Sequence, residues 1–489
     1  MANHRAFKSD ESFLEKISMG AIGTNRVFED LIAQDHNPLE LERGSMSFKI
    51  WKGIKRKGLR VPDILCVACG RRFESRAKKS FEISMSHSLT DQARGWDFGL
   101  ENSDFVALVV CNKIGDRPID WQPIDLVQYI QVRDLRCAYI MNCVKLVEPK
   151  GAQEGFERRI VWPSSVAKYN GIIISVTNDS VKYRRSSDQR VLSLRLLKNE
   201  INLTPLVHEN EEIVANQAIA AVVPIYREVG CPRNRVFEYY LNDLTSLSLT
   251  ERYGAAKALS VIQWGEDVNQ ALTNRVGDVN DDIYVRLEAA ASLARHGIER
   301  GYSFIEQCLS DEYLVNRLEA IIILGEIHTE RSRGILTNVL MDGDQNSEIR
   351  AGAAWALGEL NNNMGIDALI SGFTSVNEGI RIEAARALYK LASSFLQDVL
   401  QRFPQSTPEQ RPGIAWALSK ASGFQIGDLL NMRVDEDARH WIAYMIGTQA
   451  PGKYIQEIER LRDQDSEIYF AVTVLWKIMA SWVFGLEEY

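Results

Sequence analysis

Seven cysteines in 489 residues are too few, and too unevenly placed, for a disulfide framework. Free thiols and a reducing, cytoplasmic setting are therefore expected. The first residues, Met1 to Arg5, lack the apolar run of a signal peptide. Long hydrophobic runs are also missing, with one exception near the C-terminus. Ile468–Leu486 approaches the length of a membrane span, but it contains Lys477 and falls in register with the repeats described below. A last repeat helix is expected there rather than a transmembrane segment. Positive charge is in deficit overall, with a formal net charge of −8. The deficit is uneven: residues 1–150 carry 23 Lys and Arg against 20 Asp and Glu, and the remainder carries 34 against 45. An acidic body does not suggest general polyanion binding, yet a basic front domain can still meet a phosphate backbone.

What is present starts from an ordinary apolar share, 45%. That is enough for full cores, and the length suggests roughly two to four domains. Arg60–Lys78 predicts a β-hairpin: a strand over Val61–Leu65, a turn over Cys66–Gly70 and a returning strand over Arg72–Lys78. Strands alternate faces, so Glu74, Arg76 and Lys78 share one face and Phe73, Ser75 and Ala77 the other. With Asp63 one strand over, a carboxylate beside two cations could hold a divalent metal and a phosphate together. The plainer alternative makes Asp63 a turn residue and Glu74, Arg76 and Lys78 a solvated strand face.

The order of an N-terminal helix, a Pro62-Asp63 strand, a charged second strand and a later apolar strand at Asp104–Cys111 resembles the PD-(D/E)xK nuclease core. The resemblance covers roughly the first 140 residues. It implies a restriction-endonuclease-like α/β domain in which Asp63 and Glu74 ligate Mg²⁺ or Mn²⁺. The family's Lys position holds Arg76 here, and Lys78 follows two residues later. Arginine stabilises phosphate charge but does not readily give up a proton to activate water. Lys78 would take that work, or the site would be inactive. Glu29, on the preceding helix, would be a third acid. A helix after the second motif strand is also implied, carrying His87, Asp91, Gln92 and Arg94.

Arg43–Arg60 holds seven cations and no acid, with aromatics interleaved. Lys49, Lys52, Lys55, Arg56, Lys57 and Arg60, with Trp51 to stack, suggest a nucleic-acid-binding segment, most simply for DNA. An edge strand kept soluble by lysine is the alternative. Cys66 and Cys69, followed by Gly70, resemble a zinc knuckle. A tetrahedral site needs two further ligands, and His87, Cys111, Cys137 and Cys143 are the nearby candidates. A reduced hairpin turn or a redox pair would use the same two thiols.

Residues 149–228 change to short strand candidates at Arg159–Trp162, Gly171–Val176, Ser180–Tyr183 and Val191–Leu196, split by turn residues. Glu209–Ala220 resembles the barrel-sandwich phrase of biotinyl and lipoyl domains, with its glycines replaced and no carrier lysine. A small β-barrel or sandwich without a carried cofactor is expected. From Asn234 to the end the chain repeats. Anchors at Arg252, Arg286, Arg317, Arg350, Arg381, Arg411, Arg439 and Ile468 are 28–34 residues apart. Four residues on stand Ala256, Ala290, Ile321, Ala354, Ala385, Ala415, Ala443 and Val472. Seven on stand Leu259, Leu293, Leu324, Leu357, Leu388, Leu418, Ile446 and Leu475. Small residues in one column and leucine in another, on one helix face, let helices stack closely. The units resemble HEAT repeats of the phycobilisome-lyase type, implying an α-solenoid that binds a protein partner. Trp355 and Trp416 share a column that serves either inter-repeat packing or a partner surface.

The expected architecture is a multidomain α+β chain: a nuclease-like domain over 1–148, a small β domain over 149–228 and a HEAT solenoid over 229–489. The leading expectation is a metal-dependent nucleic-acid phosphodiesterase whose array recruits a partner or presents substrate, in antiviral genome defence or DNA repair. The alternative is a non-catalytic HEAT scaffold with an inactive or zinc-stabilised front module.

Overall fold

The computed structural model describes residues 10–46, 59–88, 90–117, 119–148, 157–198, 200–262, 264–421, 423–449 and 451–484. The chain divides into two compact units, Met1–Ala271 and Leu272–Tyr489.

The first unit opens with α1 (Asp10–Ala33), one continuous helix. The glycines at 20 and 23 do not interrupt it. A Cβ on Gly23 would lie 2.7 Å from the Cβ of Ala77, so this glycine lets the helix approach the sheet rather than breaking it. The sheet follows as β1 (Pro38–Glu40), β2 (Ile64–Cys66), β3 (Arg72–Lys78), β4 (Ile83–Ser88), β5 (Phe105–Lys113) and β6 (Trp121–Gln131). Five of these strands form one sheet in the order β1-β2-β3-β5-β6. β3 and β5 are parallel and the other neighbours antiparallel. The expected hairpin is β2–β3, with Ile64 opposite Phe73.

β5 reads as an unbroken apolar run because both its faces are covered. Ala107, Val109 and Cys111 join Phe73, Val27 and Leu31 in a core under α1. Val106, Leu108 and Val110 face a second core with Ile83, Met85, Trp96 and Trp162. Among the described residues of Ser84–Asp97, the helix expected to carry His87, Asp91, Gln92 and Arg94 is absent. That stretch is β4 and a single 3-10 turn at Gln92–Arg94, because Ile83 and Met85 alternate with serines at strand spacing and bury into the second core. After α2 (Val132–Ile140) come β7 (Lys145–Val147) and β8 (Glu157–Trp162), which form a three-stranded sheet in the order β4-β8-β7. The buried Trp162 indole donates to the Leu135 carbonyl at 3.0 Å.

A small strand-rich body follows: β9 (Ser164–Val166), β10 (Gly171–Val176), β11 (Ser180–Arg185), β12 (Val191–Arg195), β13 (Leu197–Lys198), β14 (Ile201–Asn202), β15 (Thr204–Pro205), β16 (Glu212–Ile213) and β17 (Ala218–Ala221). A sheet ordered β12-β11-β10-β16 and another ordered β15-β17-β9 enclose Ile173, Val181, Tyr183, Leu203, Ile213 and Ile219. The chain then returns to the front sheet as a strap. Tyr226 bridges to Tyr129, whose amide donates to the Tyr226 carbonyl at 2.8 Å.

From Phe237 onward the described residues alternate between first and second helices of pairs. The first helices are α3 (Phe237–Asp243), α5 (Glu266–Gly277), α7 (Glu299–Cys308), α9 (Glu330–Met341), α11 (Ile366–Gly372), α13 (Leu396–Arg402), α15 (Ile426–Leu430) and α17 (Pro451–Gln464). Their partners are α4 (Leu249–Ala258), α6 (Ile283–Arg295), α8 (Leu314–Glu326), α10 (Ser347–Glu359), α12 (Glu378–Ser394), α14 (Arg411–Ala421), α16 (Glu436–Gly447) and α18 (Ser466–Phe484). Every sequence anchor falls in a second helix, and the leucine column is buried from Leu259 through Ile446. Several anchor arginines share one job. Arg286 donates to the Val276 carbonyl at 3.1 Å, Arg350 to Leu340 at 2.9 Å and Arg381 to Ser375 at 2.7 Å. Each satisfies carbonyls left open at or just past the end of its own first helix. Arg411 and Arg439 instead reach the start of the next second helix, through Asp435 and Asp437 and through Asp465 and Glu467. No described helix is long and apolar enough to cross a membrane.

Candidate functional site

Two clusters flank the β2–β3 hairpin. The first is built of carboxylates and a guanidinium. Asp63, just ahead of β2, is 8% exposed, and its Oδ2 accepts the Ser75 amide at 2.7 Å. Burial pushes its carboxyl well above the usual range, and the negative charges of Glu74 and Glu42 add to the rise. Glu74, on β3, is ion-paired through Oε1 with Arg76 at 2.7 Å. The Arg76 guanidinium is held above its ordinary value, first by Glu74 and then by Asp63 and Glu42, against the cost of burial. Lys78 is lowered by burial and by Arg76. Its Nζ turns to β4, donating to the Ser84 carbonyl at 2.8 Å.

The structure thus gathers Asp63, Glu74 and Arg76 and turns Lys78 towards Ser84. Glu29 sits elsewhere: its side chain is 70% exposed on α1 and faces Arg26 at 3.7 Å. The acid that joins Asp63 is Glu42, which the sequence reading missed. It follows β1, and its amide donates to the Asp63 carbonyl at 3.2 Å. Only the β1–β2 pairing brings it there. As arranged, two carboxylates of the cluster already have protein partners. One Asp63 oxygen is committed to a backbone amide and Glu74 to Arg76. Among the described residues, no three carboxylates converge within 4.8 Å of one another.

Lys49, Trp51, Lys52, Lys55, Arg56 and Lys57 lie outside the described residues. At the ends of that run, Arg43 is buried and Arg60 donates to the Gly95 carbonyl at 3.1 Å. His87 is on a strand, not a helix. It accepts the Trp96 amide at 3.4 Å and lines a cavity of about 570 Å³ with Gln92, Asp97 and Arg136.

The second cluster is made of thiols and an imidazole. Cys66 ends β2, Cys69 lies in the turn, His36 lies just past α1, and Cys231 is on the returning strap. Their donor atoms all lie within 4.8 Å of one another. Cys66 Sγ is 3.8 Å from Cys231 Sγ, and Cys69 Sγ is 3.7 Å from His36 Nδ1. Three of the four residues are buried. The Asn37 amide donates to Cys66 Sγ at 3.4 Å. The Cys66 thiol is drawn down to about 3, chiefly by its hydrogen bond with Cys69, with help from His36 and against the effect of burial. Cys69 is pushed up correspondingly. Of the thiols and imidazole expected to complete a Cys66–Cys69 site, none is in the group. Cys111 is buried in the sheet core, Cys137 is exposed, Cys143 packs at the edge of the second core, and His87 lines the cavity.

Comparison with known proteins bears on the helical part. The HEAT-repeat family matches residues 303–389 and 335–419. No curated protein matches the chain. Solved structures with some likeness include the complex of CpcE and CpcF of phycocyanin lyase from Nostoc sp. PCC7120, at 16% identity and TM-score 0.26, covering 50% of this chain and 95% of that one. Human deoxyhypusine hydroxylase is 14% identical with TM-score 0.22, covering 49% and 94%. A computationally designed armadillo repeat protein is 16% identical with TM-score 0.23, covering 38% and 99%. None of these likenesses bears on chemistry. The helical part of this chain carries HEAT repeats, preceded by a strand-rich region of open sheets.

Proposed function

We propose that this chain is a HEAT-repeat scaffold that binds a protein partner, and that its front module does not cut. The observation that carries the reading is the run of helix pairs, matched as HEAT repeats over 303–419. HEAT arrays mostly present surfaces to other macromolecules. The front cluster supports the same reading. Arg76 stands where the nuclease motif has lysine and holds Glu74 in an ion pair, and Lys78 donates to the Ser84 carbonyl instead.

A second reading keeps the metal-dependent phosphodiesterase. The strand order β1-β2-β3-β5-β6, with Asp63 just ahead of β2 and close enough to Glu74 of β3 to feel its charge, favours it. One experiment separates them. The full chain is incubated with supercoiled plasmid, linear duplex, single-stranded DNA and RNA in Mg²⁺, Mn²⁺ or EDTA, beside Asp63→Ala and Glu74→Ala. The scaffold predicts no metal-dependent cutting. Cutting that needs the metal and disappears in both variants would replace it with the nuclease.

A further inference from the structure

We propose that His36, Cys66, Cys69 and Cys231 bind one zinc ion in a closed tetrahedral centre that fastens the strap, and with it the first helix pair, to the front sheet. The distances are those of such a centre. Zn–S bonds near 2.3 Å and Zn–N bonds near 2.0 Å set tetrahedral edges of about 3.5–3.8 Å. Two of the six edges are 3.8 Å for Cys66–Cys231 and 3.7 Å for Cys69–His36, and all four donor atoms lie within 4.8 Å of one another.

An independent observation fixes the imidazole. His36 Nε2 lies 2.6 Å from the Val229 carbonyl oxygen. A carbonyl only accepts, so Nε2 carries the proton and Nδ1 turns its lone pair towards the thiols. A second partner of this kind orients a metal-bound histidine. Cys66 and Cys69 occupy the two ends of a tight turn closed by the Gly70 amide donating to the Cys66 carbonyl at 2.8 Å. Gly70 has φ +75°, a left-handed conformation that glycine adopts without strain. Both thiols then point to the same side, towards His36.

The chemistry selects the ion. Three thiolates and an imidazole in a four-coordinate site suit zinc, and hard cations prefer oxygen. All four positions are filled by protein, leaving none for water or substrate, so the ion is structural. Binding releases the thiol protons. Zinc with three thiolates carries one net negative charge, and Arg71 lies beside it, donating to the Gly230 carbonyl of the strap.

Neighbouring contacts show what the centre holds. Cys66 and Cys231 are 165 residues apart along the chain, with the whole small β body between them. The Arg235 amide donates to the Ala68 carbonyl at 3.0 Å, and the Tyr240 hydroxyl, on α3, donates to the Val67 carbonyl at 2.9 Å. The metal turn is therefore the seat on which the first helix pair is placed.

The test uses the full chain, purified without added metal. Zinc is measured by atomic emission and by release to a metallochromic dye on adding a mercurial. About one zinc per chain is expected, in keeping with a folding-coupled site. Cys69→Ser and Cys231→Ser should lose it, and Cys137→Ser, at an exposed thiol, should keep it. Zinc retained in full by both variants would overturn the proposal, as would folded wild type without zinc or with a Cys66–Cys231 disulfide by mass spectrometry. If the variants fail to fold, cobalt exchanged into wild type decides. Intense thiolate-to-metal absorption with tetrahedral ligand-field bands is expected, and a weak octahedral spectrum counts against the site.

Discussion

At the scale of single residues, the front cluster stores a cost that pH can reveal. Asp63 is buried beside two acids and holds its proton more tightly in the folded chain than in the unfolded one. Folding then takes up a proton, so stability falls as pH rises from the ordinary carboxylate range through the raised folded value. Asp63→Asn keeps an oxygen to accept the Ser75 amide and removes the charge. It should raise stability at neutral pH and flatten that dependence, as read from urea midpoints at several pH values. A fall in stability at neutral pH would mean that attraction to Arg76 outweighs burial. Arg72 and Asp104 behave oppositely. They form a two-bond pair at 2.9 and 2.7 Å, with side chains 7% and 2% exposed. Arg72 also reaches Thr250 of α4 at 2.9 Å. Asp104→Ala leaves a buried guanidinium without its main partner and should cost about 3–5 kcal/mol. A measured loss below about 1 kcal/mol, the scale of an exposed pair, would show that Thr250 and Glu101, whose Oε1 lies 3.1 Å from the Arg72 guanidinium, suffice.

At the scale of elements, the repeat explains what the sequence makes visible. Leu357 is 1% exposed and stands in a column that recurs in every pair. Leu357→Ala should cost about 2–5 kcal/mol of the array's stability through the cavity it opens. Arg350→Ala loses one charged hydrogen bond to the Leu340 carbonyl and should cost about 1–3 kcal/mol. Both are checked by denaturant unfolding followed by helical circular dichroism, and equal losses would contradict this ranking. Such columns are legible because periodic contacts are local and repeated. The β2–β3 hairpin is legible too, since alternation and a Cys-x-x-Cys-Gly turn are encoded side by side. Ser84–Asp97 misled because the nuclease resemblance implied a helix where Ile83 and Met85 were patterned for a strand. Glu42 and the thiol partners His36 and Cys231 carry no local signal. They meet only through strand pairing and a strap that returns after the small β body.

At the scale of the whole molecule, the division into Met1–Ala271 and Leu272–Tyr489 places all four thiol and imidazole donors in the first unit. The metal binds only where the fold brings these donors together, so its binding energy adds to the stability of that unit. Helices α6 to α18 gain nothing from it directly. Stripping the full chain of zinc with a strong chelator under reducing conditions should lower the unfolding temperature of the first unit. Most of the helical ellipticity should survive that first transition. Hydrogen exchange assigns the effect: protection should be lost first over the Cys66–Gly70 turn, the strap near Cys231 and α3, where Tyr240 bonds to the turn. Adding back stoichiometric zinc should restore it, and Mg²⁺ should not, because thiolate ligands discriminate against a hard cation. Uniform loss across both units would mean that the two melt as one cooperative body. Unchanged protection at the turn would mean that the hydrogen bonds around Val67 and Ala68 hold the strap without an ion.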